Sequence, residues 1–118
     1  MVNVKIAMIK KKMNNTKEEF IEDTKGLKVL CARIVKGDST YQDEDECKTY
    51  ILKQGYTKEE YNIFLESLNF TYDDGYGGQE LFGIIWCEDS TWLSRGEYDG
   101  SEWWEVNKYP EISNDMKR

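Results

Sequence analysis

Apolar residues recur along this chain in two rhythms, one close to continuous and one at helical spacing. Leu27 to Val35, LKVLCARIV, is apolar at nearly every position and rich in β-branched side chains. That predicts a central strand covered on both faces. Leu81 to Cys87, LFGIIWC, predicts a second buried strand, with Leu81, Gly83, Ile85 and Cys87 on one face and Phe82, Ile84 and Trp86 on the other. Cys47 to Leu52 alternates well enough for a further strand. Between these, Tyr61, Phe64, Leu65 and Leu68 recur at i, i+3, i+4 and i+7 and predict a helix within Gly55 to Leu68. Thr57 and Glu60 form a capping box at its start, and Tyr56 is placed to staple onto Tyr61. A second capping box, Thr16 with Glu19, predicts a shorter helix that turns Phe20, Ile21 and Thr24 inward and ends near Lys25-Gly26.

The C-terminal third holds all four tryptophans and the clearest turn signal. Trp92 to Tyr98 and Ser101 to Asn107 predict a hairpin about Asp99-Gly100, because Asp-Gly tolerates the positive φ angles of a two-residue turn. That turn pairs Tyr98 with Ser101, Glu97 with Glu102, Gly96 with Trp103, Arg95 with Trp104 and Leu93 with Val106; a three-residue loop closed by a glycine bulge would shift every pair. In the two-residue register one face carries Trp92, Gly96, Tyr98 and Trp103, and is assigned to the core. The opposite face carries Leu93, Arg95, Glu97, Glu102, Trp104 and Val106, with Arg95, Glu97, Glu102 and Trp104 as its candidate contacts. Glu97 and Glu102 stand directly opposed, and Arg95 lies diagonal to Glu102, able to neutralise the pair while stacking on Trp104. As structure, these four close the hairpin in a surface ladder. As function, they grip a polar or charged ligand.

At 118 residues the chain fits one domain. We expect an α+β domain at residues 13–112, with a mainly antiparallel sheet of about five strands and two helices packed on it. Residues 1–12 form a basic upstream extension or a disordered arm, and residues 113–118 a polar tail. The net charge is −7, but the first twelve residues carry four lysines and no acid, which leaves −11 on the remainder. An acidic body of this kind repels phosphates and favours a basic protein partner over direct nucleic-acid binding. Three widely spaced cysteines without a C-x-x-C pair suit reduced thiols in a cytoplasm, with Cys31 a small core residue. No run approaches the length of a membrane span.

There is no histidine, so Ser-His-Asp and Cys-His nucleophilic systems, imidazole bases and histidine metal sites are excluded. The acidic run Asp43 to Glu46 lacks the spacing and central glycine of a calcium loop and reads as a solvated loop. DDGYGG, residues 73–78, resembles a phosphate loop only in its glycines, since it has no G-K-[ST] and begins with two acids. It reads as a partner-facing turn, with Asp74 and Tyr76 as contacts. No catalytic residue, metal or cofactor is expected.

Residues 81–112, LFGIIWCEDSTWLSRGEYDGSEWWEVNKYPEI, resemble a C-terminal signature of small proteins encoded by bacteriophages and prophages. The matching positions are Ile85-Trp86, Asp89 to Trp92, Arg95 to Trp104, and Pro110; the lead-in GYGGQELFG is also similar. Ser90 stands where glycine is usual, which bears on the geometry of that turn. The resemblance implies a non-enzymatic accessory protein that binds and inhibits a host defence or nucleic-acid-processing protein in a bacterial cytoplasm. Two alternatives are a binder that sequesters a nucleotide or related signal between the hairpin and the glycine loop, and a carboxylate hydrolase built on Glu97 and Glu102.

Overall fold

The computed structural model describes residues 12–37, 47–74 and 78–118. In chain order the elements are β1 (Lys12–Asn15), α1 (Thr16–Asp23), β2 (Val29–Lys36), β3 (Lys48–Leu52), α2 (Lys58–Ser67), β4 (Thr71–Asp74), β5 (Leu81–Cys87), β6 (Thr91–Tyr98) and β7 (Ser101–Lys108), followed by a 3-10 turn at Asn114–Met116. Five strands form one antiparallel sheet in the order β3-β2-β5-β6-β7, and β1 pairs with β4 in a separate two-stranded ribbon. The domain is α+β, with the two helices and five-stranded sheet expected from the pattern. Residues 1–11 and the acidic run Asp43 to Glu46 lie outside the described residues.

Both helices pack on the same face of the sheet. Phe20 from α1 and Phe64 and Leu68 from α2 meet Ala32, Ile34, Leu52, Leu81, Ile85 and Leu93, all buried. The Phe20 and Phe64 rings meet edge to face at 5.5 Å between centroids. Fully burying each such side chain is worth about 1.5–3 kcal/mol, so this layer holds the helices to the sheet. α2 starts as its sequence dictates: the Thr57 hydroxyl accepts from the Glu60 amide, the Glu60 carboxylate accepts from the Thr57 amide, and Tyr56 stacks on Tyr61 at 5.6 Å.

Five expectations are corrected. The strand β2 sits second in the sheet, and β5 takes the centre. Among the described residues, helices cover one face of β2 and β5; on the other face of the sheet Ile51, Ile84 and Trp86 are exposed. Cys31 accordingly lies half-buried on that outer face rather than in the core, in register with Trp86. Finally, α1 is capped by Asn15, whose side chain accepts from the Glu18 amide at 3.0 Å, and not by Thr16. Residues 12–15 form a strand, so the Thr16 amide is drawn to the Phe70 carbonyl at 2.9 Å, and Glu19 is turned away from the cap to other partners. Ile21, expected inward, is exposed on α1.

Gly83 fixes how closely β2 and β5 approach. Its φ is +146°, and a Cβ built there would lie 2.2 Å from the Arg33 carbonyl oxygen and 2.9 Å from the Ile34 Cα. Both obstacles are backbone in the middle of the sheet, so neither moves without breaking strand pairing. Gly83→Ala is expected to lower stability by about 2–4 kcal/mol, read from the midpoint of urea denaturation.

Candidate functional site

The hairpin of β6 and β7 adopts the two-residue register. Asp99 and Gly100 take φ angles of 51° and 88°, and the strands pair Tyr98 with Ser101, Glu97 with Glu102, Gly96 with Trp103, Arg95 with Trp104 and Leu93 with Val106. The indole of Trp103 lies over Gly96, where a Cβ would approach its Nε1 to 2.6 Å. Asp89 and Ser90 also take positive φ angles, 61° and 57°, so the preceding turn closes with serine where glycine was the expected residue.

The two faces of this hairpin are the reverse of their expected assignment. Arg95, Glu102 and Trp104 point into the protein, while Trp103 and Tyr98 are exposed. Leu93 decides this: it pairs with Ile85 of β5 and is fully buried in the helix-covered core. Every second residue of β6 from Leu93 therefore follows it inward, and register carries Glu102 and Trp104 along.

Arg95 becomes the centre of a buried polar cluster. Its side chain is 2% exposed and lies between two rings, 4.8 Å from the Trp104 centroid and 5.6 Å from that of Tyr72. One terminal nitrogen donates to Glu19 Oε1 at 2.9 Å; the other donates to Glu102 Oε1 at 2.8 Å and to the Tyr72 hydroxyl at 3.1 Å. Tyr72 in turn donates to the Glu19 carboxylate at 2.7 Å. Glu102, whose side chain is fully buried, accepts from the Glu80 and Leu81 amides at 2.7 and 2.9 Å. Burial pushes the Tyr72 phenol far above its ordinary pKa, so it remains a donor. Burial opposes the Arg95 charge, yet the hydrogen bonds to Tyr72 and Glu102 and the charge of Glu19 outweigh it and raise the guanidinium pKa.

Of the expected contact residues, the structure brings Arg95, Glu102 and Trp104 together, but as an internal joint. Glu97 points to the turn and accepts from the Gly100 amide at 3.0 Å, so the opposed pair is divided between two tasks. Asp74 ends β4, opposite Lys12, and Tyr76 lies outside the described residues. The residues that sequence reasoning missed are Glu19 and Tyr72, which complete the shell of Arg95. Their signal was present but misread: Glu19 served as a cap residue, and Tyr72 stood beside the glycine loop.

Among the described residues, two open surfaces bear on function. On α1, Glu18, Glu19, Glu22 and Asp23 line a groove of about 370 Å³ together with Asn14 and Asn15. Partial burial raises the Asp23 pKa, helped by the neighbouring charges of Glu19 and Glu22 and opposed by Arg95. The other surface is the outer face of the sheet, with its exposed tryptophans. Among the described residues no group of three metal-ligating side chains is placed to hold a metal, and no helix is long and apolar enough to cross a membrane. No protein family, curated protein or solved structure matches the chain.

Replacing Arg95 with methionine keeps much of its length and removes its charge, taking the guanidinium away from Glu102 and Glu19. Arg95→Met is expected to cost about 3–5 kcal/mol by chemical denaturation, and Arg95→Met with Glu102→Gln to recover part of that loss. Asp23 gives a pH dependence of known sign. Its folded pKa lies above its unfolded value, so its ionisation favours the unfolded chain and its own contribution to stability is lost as pH rises through the carboxylate range. Asp23→Asn is therefore expected to be the more stable form at neutral pH. Its advantage should shrink as pH falls through that range, as followed by thermal melts.

Proposed function

We propose that the chain is a non-enzymatic accessory protein of the phage type that binds a basic surface of a host protein, one serving defence or nucleic-acid processing, in the bacterial cytoplasm. The observation that carries this reading is the α1 groove. Four carboxylates from two turns of one helix line it, burial together with the charges of Glu19 and Glu22 raises the Asp23 pKa, and Glu18 and Glu22 are exposed. Lys25 reaches Glu22 at 3.4 Å from the helix end, in a pair exposed to water. A lysine or arginine presented by a partner would relieve the crowding while leaving most of the carboxylates' hydration intact. The resemblance of residues 81–112 to phage and prophage proteins supplies the biological setting. The −11 carried beyond the first twelve residues gives long-range attraction toward a basic partner.

Geometry also favours binding over the two alternatives. A nucleotide pocket on the hairpin requires Arg95 and Trp104 to face a ligand, but both side chains are engaged inside the protein. Acid-base chemistry at Glu97 and Glu102 requires a proton to move between them and a substrate, whereas Glu102 is fixed by Arg95 and two backbone amides.

Tagged protein passed over a bacterial lysate is expected to retain one host protein at near-stoichiometric yield, and to release it as salt is raised. The surface variant Glu18→Lys with Glu22→Lys should lose that protein while keeping the wild-type circular dichroism and melting curve. Recovery of no partner by the wild type, or equal recovery by the reversed variant, would overturn the proposal.

A further inference from the structure

The outer face of the five-stranded sheet lies on the side opposite the helices. Its cross-strand pairs form rows. One row runs Ile51, Arg33, Ile84, Ser94 and Glu105 from β3 to β7, and the next runs Cys31, Trp86, Trp92 and Asn107 from β2 to β7. Ile51 is 52% exposed and Trp86 42%, and Ile84, Trp103 and Tyr98 are exposed with them. The chain is 33% charged, yet the five strands of this sheet place just one cation and one anion on this face, Arg33 and Glu105, with Lys53 at its rim just past β3. Depletion of charge around tryptophan, tyrosine, isoleucine and a single arginine is the composition of an interface centre rather than of a wetted surface.

We infer that this face packs against the same face of a second copy of the chain, forming a two-fold dimer in which Arg33 of each copy pairs with Glu105 of the other. The rows dictate the match. Arg33 stands one strand to one side of β5, and Glu105 two strands to the other. A two-fold axis parallel to the strands and midway between β5 and β6 therefore carries each onto the strand position of its counterpart. The same axis sets Trp86 against Trp92 of the second copy, Ile84 against Ser94, and Cys31 against Asn107. Each contact occurs twice, as an isologous interface requires.

The dimensions agree. Strand spacing and rise make the four strands that face one another, β2, β5, β6 and β7, roughly 19 by 23 Å, or about 440 Å² per copy before side-chain relief is counted. Two such faces come to about 900 Å², close to the ~1,000 Å² at which specific interfaces begin. Stacked sheets sit about 10 Å apart and rotate by about 30°, which displaces Arg33 and Glu105 by only about 4 Å along the strands, within reach of an arginine side chain. Neither residue has an ion-pair partner among the described residues; Glu105 accepts from the Trp103 indole N–H at 3.1 Å, which holds its carboxylate on this face. An acidic protein gains from such a contact, because the face itself carries no net negative charge and the acidic α1 groove points away from it.

The test is the assembly state of the full chain by sedimentation velocity across about 1–300 µM, the range in which an interface near the lower size limit associates. Wild type is expected to show a monomer-dimer equilibrium. Arg33→Glu and Glu105→Arg should each weaken the dimer by about tenfold or more, and the double variant should restore it to within about threefold, because the pair is then present with its charges exchanged. Circular dichroism melts establish that all three variants fold. A wild type that stays monomeric throughout overturns the inference, as does a dimer indifferent to both single substitutions or a double variant that fails to recover. None of these outcomes touches the α1 groove, so host-partner capture by that groove stands or falls separately.

Discussion

A guanidinium held away from water must meet groups that replace its hydration, and around Arg95 those groups come from separate parts of the chain. Glu19 is on α1, Tyr72 on β4, and Glu102 and Trp104 on β7. Glu102 extends the cluster by holding the Glu80 and Leu81 amides, where the chain enters the central strand. Apolar packing against Phe20 and Phe64 attracts the helix layer to the sheet without fixing its direction. Forked hydrogen bonds from one planar group do fix direction, because each donor has a single favourable line. The ribbon of β1 and β4 and the start of β5 are thereby located relative to the hairpin by the same side chain. This joint specifies an arrangement more than it adds net stability, since charge burial opposes most of the attraction it gains.

What the sequence made legible was local. The Asp99-Gly100 turn, the pairing of Gly96 with Trp103 and the Thr57-Glu60 cap each depend on residues close together in the chain, and each formed as its chemistry requires. The inward face of the hairpin was not local. It depends on Leu93 meeting Ile85, and on a carboxylate 76 positions before Arg95. Charged residues on one face and aromatic residues on the other imply an outward charged face, unless the charges neutralise one another beneath an indole. Here they do. The same competition explains α1: with Glu19 committed to Arg95 and Tyr72, the cap passes to Asn15.

The continuous apolar character of β2 and β5 predicted cover on both faces, and the helix layer supplies only one cover. Val35, Phe82, Ile84 and Trp86 would be unusual choices for strands meant to meet water on that side, since exposed faces of antiparallel sheets ordinarily alternate to polar residues. The pattern thus carries information about a neighbour as well as about the chain, and it looked like a central strand because the two demands are written in the same residues.

The two open surfaces lie on opposite sides of the sheet, and this separation gives the architecture its logic. The apolar face can be closed without shielding α1, whose carboxylates remain on the outside of the helix layer. Their position is tied to the sheet by the contact of Glu19 with Arg95, so the groove is not carried on a loosely packed helix. A partner that neutralised Glu18, Glu22 and Asp23 would add its charge within the field of that same guanidinium, which already opposes the raised pKa of Asp23. Arg95 therefore limits how much negative potential the groove can hold while determining where the groove stands.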